Sequence, residues 1–341
     1  MKIKIKRNML CFIGLIILLF LSFFVSLFMG RYFISPHTLI EAVKENLFLK
    51  GQDEYALVFS VVFNIRLPRT ILSMLIGAAL AVSGAAFQGL FRNPLVSPDI
   101  LGVSSGAGFG AVLGILLAGI SIITSAYAFI FGLVSVFLAY LLSKLQKDFS
   151  IISLILSGMI TASVFSSLIS LVKYIADPYD KLPAITYWLM GSFSKVTYGD
   201  IKITAIPIIA GIIVLILLRW RINLLSLGDE EASSLGIEPK KIRLLCIVLA
   251  TIITSISVTV VGVIGWVGLV IPHIGRRVVG VDHKDLLPAS ALLGGVFLTV
   301  VDIIARSATS VEIPIGILTA LIGAPFFAFL LIKTKKSKGD W

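Results

Sequence analysis

The chain has little charge, and acidic charge is scarcest. Of its 341 residues 14% are Asp, Glu, Lys or Arg, against about 25% in an ordinary soluble domain, and 18 are acidic. The three histidines, His37, His273 and His283, are too scattered to gather a metal ion, and no His-Glu-x-x-His or Cys-x-x-Cys occurs. Cys11 and Cys246 both lie in apolar stretches, too few and too deep for a disulfide framework. No Gly-x4-Gly-Lys-[Ser/Thr] phosphate loop is present and no nucleophile–base set is visible, so neither an ATP-driven engine, a catalytic set nor a resident cofactor is expected. Carboxylates within the apolar runs are nearly missing. The clearest is Asp302, four residues before Arg306 and within reach of an intrahelical pair. A proton-coupled carrier keeps several such groups, so the driving energy is expected from outside the chain.

What the chain has is apolar length. Hydrophobic residues make up 58% of it, and the mean hydropathy is +1.05. That is an all-α polytopic membrane protein, read as one transmembrane domain over 1–341. A span takes roughly 20 apolar residues, which gives segments at 10–30, 68–90, 99–118, 122–143, 150–172, 201–219, 242–264, 266–279, 286–305 and 314–332. The eighth is short and holds Pro272. Lys2, Lys4, Lys6 and Arg7 precede the first run, which is longer than a signal h-region of about 7–15 residues and lacks an Ala-x-Ala site, so it is expected to remain as a span. Ten crossings put both termini on one side, and Lys333, Lys335, Lys336 and Lys338 match the N-terminal cluster. With the termini in the cytoplasm, the inner segments hold the larger share of the 29 Lys and Arg, Lys144 and Lys147 among them; Lys50 falls outside. The net charge of +11 thus implies a membrane and no nucleic acid. A multi-pass protein of the cell membrane is expected.

Three stretches stand out. The polar island Leu227–Arg243 lies inside, where Gly228 and Gly236 bracket a segment opening Asp229-Glu230-Glu231. Acidic residues suit the start of a short helix and Gly236 a left-handed stop; Pro239 suits the start of a second. The small Ala232, with Leu227 and Leu235 beside the glycines, would let the first helix lie close against another surface, and a partner pushing on that helix is expected. Outside, Ser35 and Pro36 open an amphipathic helix over 35–49 with Leu39, Ile40, Val43 and Leu47 on one face, while the loop 173–199 carries Tyr187-Trp188-Leu189-Met190 as a membrane anchor. The fifth segment is rich in hydroxyls. Ser153, Ser157 and Thr161 share a stripe that either lines a polar path or packs against another helix. Pro94, Pro98, Gly102, Gly106, Gly108 and Gly110, and later Gly262, Gly265, Gly268 and Pro272, are expected to break helices within the membrane.

Several runs together resemble the iron-siderophore/cobalamin permease family of ABC importers. They are Arg66-Leu-Pro-Arg69-Thr, the stretch from Gly77 to Leu95, Leu-Gly-Val-Ser-Ser-Gly-Ala-Gly (101–108) and Leu-Gly-x3-Ala-x2-Leu-Gly (227–236). Gly-x2-Gly-Leu-Val-Ile-Pro-His (265–273), Asp282-His283 and the run from Ile313 to Pro325 continue the match in the family's order. The resemblance implies the type II importer architecture: ten helices, a second permease subunit (identical or related), two cytoplasmic ATPase subunits and an extracytoplasmic solute-binding protein. It implies that 227–236 is the ATPase-coupling helix and that Arg66, Arg69 and Arg306 receive glutamates of the binding protein. The cargo it points to is a ferric siderophore, with haem or cobalamin next and an oxyanion as a further member's cargo. From other classes, a stand-alone carrier or channel is opposed by the missing carboxylates, and an intramembrane enzyme by the missing catalytic set.

Overall fold

One helix, Leu67–Leu90, runs through the middle of the computed structural model, which describes residues 2–48, 55–145 and 151–336. From Ala79 to Phe91 every residue is buried. In lipid, helices associate where small side chains let backbones approach, and this helix reads Gly-Ala-Ala-Leu-Ala-Val-Ser-Gly-Ala-Ala from Gly77. A Cβ on Gly77 would lie 2.1 Å from the Gly294 carbonyl oxygen, and one on Gly84 would lie 1.8 Å from that of Gly268. Two neighbouring helices therefore cross it backbone to backbone.

In chain order the helices are α1 (Lys2–Phe28), α2 (Pro36–Phe48), α3 (Ala56–Ser60), α4 (Leu67–Leu90), α5 (Val103–Ala118), α6 (Ile122–Lys144), α7 (Ile151–Ile175) and α8 (Lys181–Met190). There follow α9 (Tyr198–Leu217), α10 (Arg219–Leu227), α11 (Asp229–Ser234), α12 (Pro239–Val261), α13 (Val267–Val279), α14 (His283–Ser307) and α15 (Ile315–Lys336). A π-helical stretch, Val61–Arg66, joins α3 to α4 without a break, and there is no strand among the described residues. Each of the ten apolar segments coincides with a helix. Seven runs are long and apolar enough to cross a membrane: α1, the α3–α4 run, α6, α7, α9, α12 and α14. Of the other three, α5 has 16 residues, α13 has 13, and the apolar part of α15 is Ile315–Leu330. The side chains of Lys2, Lys4, Lys6, Leu47, Lys333, Lys335 and Lys336, and residues Lys50, Lys147 and Lys338, lie outside what the structure describes.

α4 packs on α14, α12, α13, α9 and α1. α5 and α6 form a hairpin whose contact is again glycine. Gly106 and Gly110 face the carbonyls of Phe131 and Tyr127, and Gly114 faces the backbone of Thr124, one contact per turn. These glycines do not break α5, contrary to expectation: they are what lets α6 come close. The break comes earlier, at the 3₁₀ turn Pro98–Leu101 and at Gly102, whose φ is +83°. Pro272 does not break α13 either. Its ring removes the N–H that would bond the Gly268 carbonyl, and Gln88 of α4 donates to Gly268 (3.3 Å) and Leu269 (3.4 Å) instead.

The break at Gly262–Trp266 is real. α12 ends at Gly262 (φ +76°), and Trp266, itself left-handed, caps α13. Here three chain reversals meet, with Ser192 N–H donating to the Val261 carbonyl (2.8 Å) and Ile315 N–H to that of Gly191 (3.0 Å). The loop 173–199 contains α8, which lays Ile185, Trp188 and Leu189 on the apolar face of α5. α2 forms as read, with Ser35 Oγ accepting from the Thr38 N–H (3.1 Å). Pro239 opens no separate short helix but the first turn of the long α12.

Candidate functional site

The turn from α10 through α11 to α12 is built on one ion pair. α11 starts at Asp229, and Arg243, two-pronged, donates to both carboxylate oxygens at 2.7 and 3.1 Å. Arg92, which ends α4 in a left-handed conformation, stands 3.7 Å from the same carboxylate. The Arg243 side chain is 4% exposed and that of Asp229 is 45% exposed. Hydrogen bonds from Arg243 hold the Asp229 carboxyl below its ordinary range against the opposing effect of partial burial. The far end of α11 closes as a Schellman stop: Gly236 N–H donates to Ser233 and Ile237 N–H to Ala232, with Gly236 at φ +80°.

The helix is therefore fixed at both ends, with a defined outward face. Glu230, Glu231, Leu227 and Leu235 are exposed, the two leucines at 62% and 59%. A groove of about 480 Å³ runs between this face and the start of α7, lined by Ile151, Ile152, Gly228 and the acidic residues of α11. Ala232 is fully buried in the chain's own core. The surface it lies against in this chain is its own protein.

Sequence reasoning missed the joint that carries this turn. Asn223 of α10 donates to Asp282 (2.6 Å), and its carbonyl oxygen accepts from the His283 N–H (2.9 Å) and from the His283 ring at Nδ1 (2.8 Å). The His283 ring presses on α4 at Gly89, where a Cβ would lie 2.4 Å from Nε2. Arg219 donates to the Lys284 carbonyl (3.4 Å), which Pro288 leaves without its helical partner. Asp282-His283 was visible as a motif, but Asn223, some sixty residues earlier, carried no signal.

Arg66, Arg69 and Arg306 gather at the opposite end of α4, but as interior groups. Arg66 donates to the carbonyls of Leu27 (2.8 Å), Phe28 (3.0 Å) and Tyr32, capping the end of α1. Arg69 grips Asp302 through Nε (2.8 and 3.0 Å) and Glu312 through Nη1 (2.9 and 3.1 Å). Arg306 donates to Ser26 (2.6 Å) and lies 3.4 Å from Asp302, the pair its spacing foretold. All three arginines are at most 5% exposed. Within this one chain the three act as a brace across α1, α4 and α14; a docking role for them is a separate proposal.

Ser153, Ser157 and Thr161 are buried as well. Ser153 donates to the Ser143 carbonyl of α6 (3.4 Å) and Thr161 to Ser157 (2.8 Å); Gly158, between them, meets the backbone of Ile100 and Leu101. Within this chain the stripe packs against α6 and the turn at Ile100 and Leu101. The hydroxyls that face outward on α7 are Ser163, Ser166, Ser167 and Ser170.

The profile of the FecCD transport family matches residues 17–333. The molybdate import system permease protein MolB of Haemophilus influenzae is 42% identical over 328 residues, 95% of each chain. An iron chelatin transport system permease protein of Helicobacter pylori is 42% identical over 291 residues, 85% of this chain and 88% of that one. A solved structure described as an inward-facing "metal-chelate type ABC transporter" superposes with a TM-score of 0.84 at 40% identity, covering 94% of this chain and 98% of that one. The chain belongs to the FecCD transport family: it is a multi-pass membrane permease of an ABC importer, a transport component and not an enzyme.

Proposed function

We propose that the chain pairs with a second permease subunit, identical or related, and couples through α11 to two cytoplasmic ATPase subunits. The observation that carries this reading is the outward face of α11. Two exposed carboxylates stand on a helix fixed at both ends and flanked by the exposed Leu227 and Leu235, and a push on that face reaches α4 and α14 through Asn223, His283 and Gly89. In this reading all ten helices cross, the shorter three included, both termini are cytoplasmic, and lipid surrounds the bundle. An extracytoplasmic binding protein delivers the solute at the far end. The path runs along the exposed, uncharged face of α7 that carries Ser163, Ser167 and Ser170.

The cargo we propose is a ferric siderophore, supported by the iron chelatin relative and the metal-chelate transporter fold. Haem and cobalamin are the nearest alternatives. A second reading, an oxyanion, is favoured by the molybdate relative, which is equally identical over more of the chain. The test is reconstitution of the chain with the ATPase and solute-binding protein encoded beside it. ATP-dependent accumulation of a radiolabelled ferric siderophore, but not of molybdate, haem or cobalamin, is the expected result. Uptake of molybdate alone would assign the second reading, and uptake without ATP would remove the importer assignment.

A further inference from the structure

We propose that the α6–α7–α12 face holds one anionic glycerophospholipid, an acyl chain in an apolar cavity and the phosphate between Lys144 and Lys240. Two adjoining hollows define the site. The deeper, of about 200 Å³, is walled by side chains such as Leu133, Val136, Phe137, Leu154 and Val248. An apolar cavity of about 150 Å³ takes up hydrocarbon in preference to water, so this one suits a length of acyl chain. Tyr140, Leu244 and Ile247 continue from it into a second hollow of about 130 Å³, whose other walls are Lys144, Lys240 and Arg243. No carboxylate lines this mouth among the described residues.

The three cations are not equivalent. Arg243 is committed to Asp229, whereas Lys144, the last residue of α6, rests 4.8 Å from the centre of the Tyr140 ring, and Lys240 projects, exposed, from the first turn of α12. Apolar walls deeper along the helices and basic groups at their ends reproduce the order of a phospholipid, with its tail in the hydrocarbon and its phosphate at the surface. A free phosphate would use the mouth alone. A zwitterionic lipid would bring its own ammonium against the two lysines. The leaflet follows from the sidedness proposed above; the site itself does not depend on what the permease carries.

The test is native mass spectrometry of the full-length chain, purified in its assembly, delipidated and titrated with phosphatidylglycerol or phosphatidylcholine of matched chains. Phosphatidylglycerol is expected to bind at least tenfold more tightly. Lys144→Gln and Lys240→Gln, both at exposed positions, each lower that preference roughly fivefold, the effect of one surface lysine on an anionic headgroup, while Lys144→Arg retains it. Val248→Trp, which fills the cavity from its open side, weakens phosphatidylglycerol with both lysines in place. Equal binding of the two lipids, an unchanged preference in the double Gln variant, or full displacement of phosphatidylglycerol by inorganic phosphate would each overturn the proposal. Loss of ATP-dependent uptake would bear on the transport reading alone, because binding is read without transport.

Discussion

Asp302 is fully buried between Arg69 and Arg306, and no other carboxylate lies as deep in that cluster. Glu312 reaches only Arg69 and is 30% exposed. Removing one member of a buried ion pair leaves the other charge without compensation, a loss of roughly 3–5 kcal/mol. Asp302→Asn is therefore expected to lower the unfolding midpoint of the detergent-solubilised chain severely, whereas Glu312→Gln lowers it far less. Equal midpoints would mean that the brace does not hold α1, α4 and α14 together. Reversing Arg66 and Arg69 would fail through folding before it could report on docking. These arginines illustrate the limit of sequence reading. Arg306 and Asp302 were legible as a helical pair, but Arg69 meets Asp302 across 233 positions and the backbone acceptors of Arg66 leave no mark in the sequence.

α11 separates inward from outward residues within six positions. Ala232→Trp has no free volume to enter and is expected to destabilise the chain itself, while Leu235→Asp and the Glu230→Lys, Glu231→Lys pair alter only exposed groups. The outward variants should keep a monodisperse chain yet lose transport-coupled ATP hydrolysis in the assembled complex. Normal coupling in all of them would remove α11 from the contact. The anchor of this helix also sets a pH dependence. Because the Asp229 carboxyl is held below its ordinary 3.8, its contribution is fully present above that value and is lost as pH falls through the lowered one. With the carboxylate half exposed, solvent screening keeps the contribution under about 1 kcal/mol. Acid titration of stability should show this step in the parent and not in Asp229→Asn.

The helices were legible because an apolar run must satisfy its backbone internally wherever it lies in lipid. α8 was not, since ten residues holding Pro183 and an aromatic cluster read equally well as an interfacial loop. Ala232 and the hydroxyl stripe of α7 share one ambiguity: a small residue invites close approach without saying from which side. Gly84 states the approach unambiguously only once the Gly268 carbonyl is seen against it.

Across the whole molecule, the face of α7 divides in two. A single cysteine at Ser163 or Ser167, in a background without Cys11 and Cys246, should react with a water-soluble thiol reagent in some transport state, and one at Ser157 should be protected in all of them. The reverse pattern would move the path to the packed face. Glycine contacts divide in the same way: Gly84→Leu should abolish recovery of folded protein, whereas Gly14→Ala, with nothing within 4 Å, should not.

The burial of α4 also sets a schedule. The ribosome completes this helix at residue 90, but the helices that cover it at Gly84 and Gly77 begin only at Val267 and His283. At about 5–20 residues per second, α4 waits roughly 10–40 s beside the translocon with Arg69 and Gln88 still without their partners Asp302, Glu312, Gly268 and Leu269. During that interval it is a poorly lipid-soluble segment in need of a custodian, either the insertion machinery or its earlier neighbour α1. A nascent chain halted before α13 should stay crosslinkable to that machinery through α4, and one halted after α14 should not. The last third of the gene thus decides whether the first third can leave.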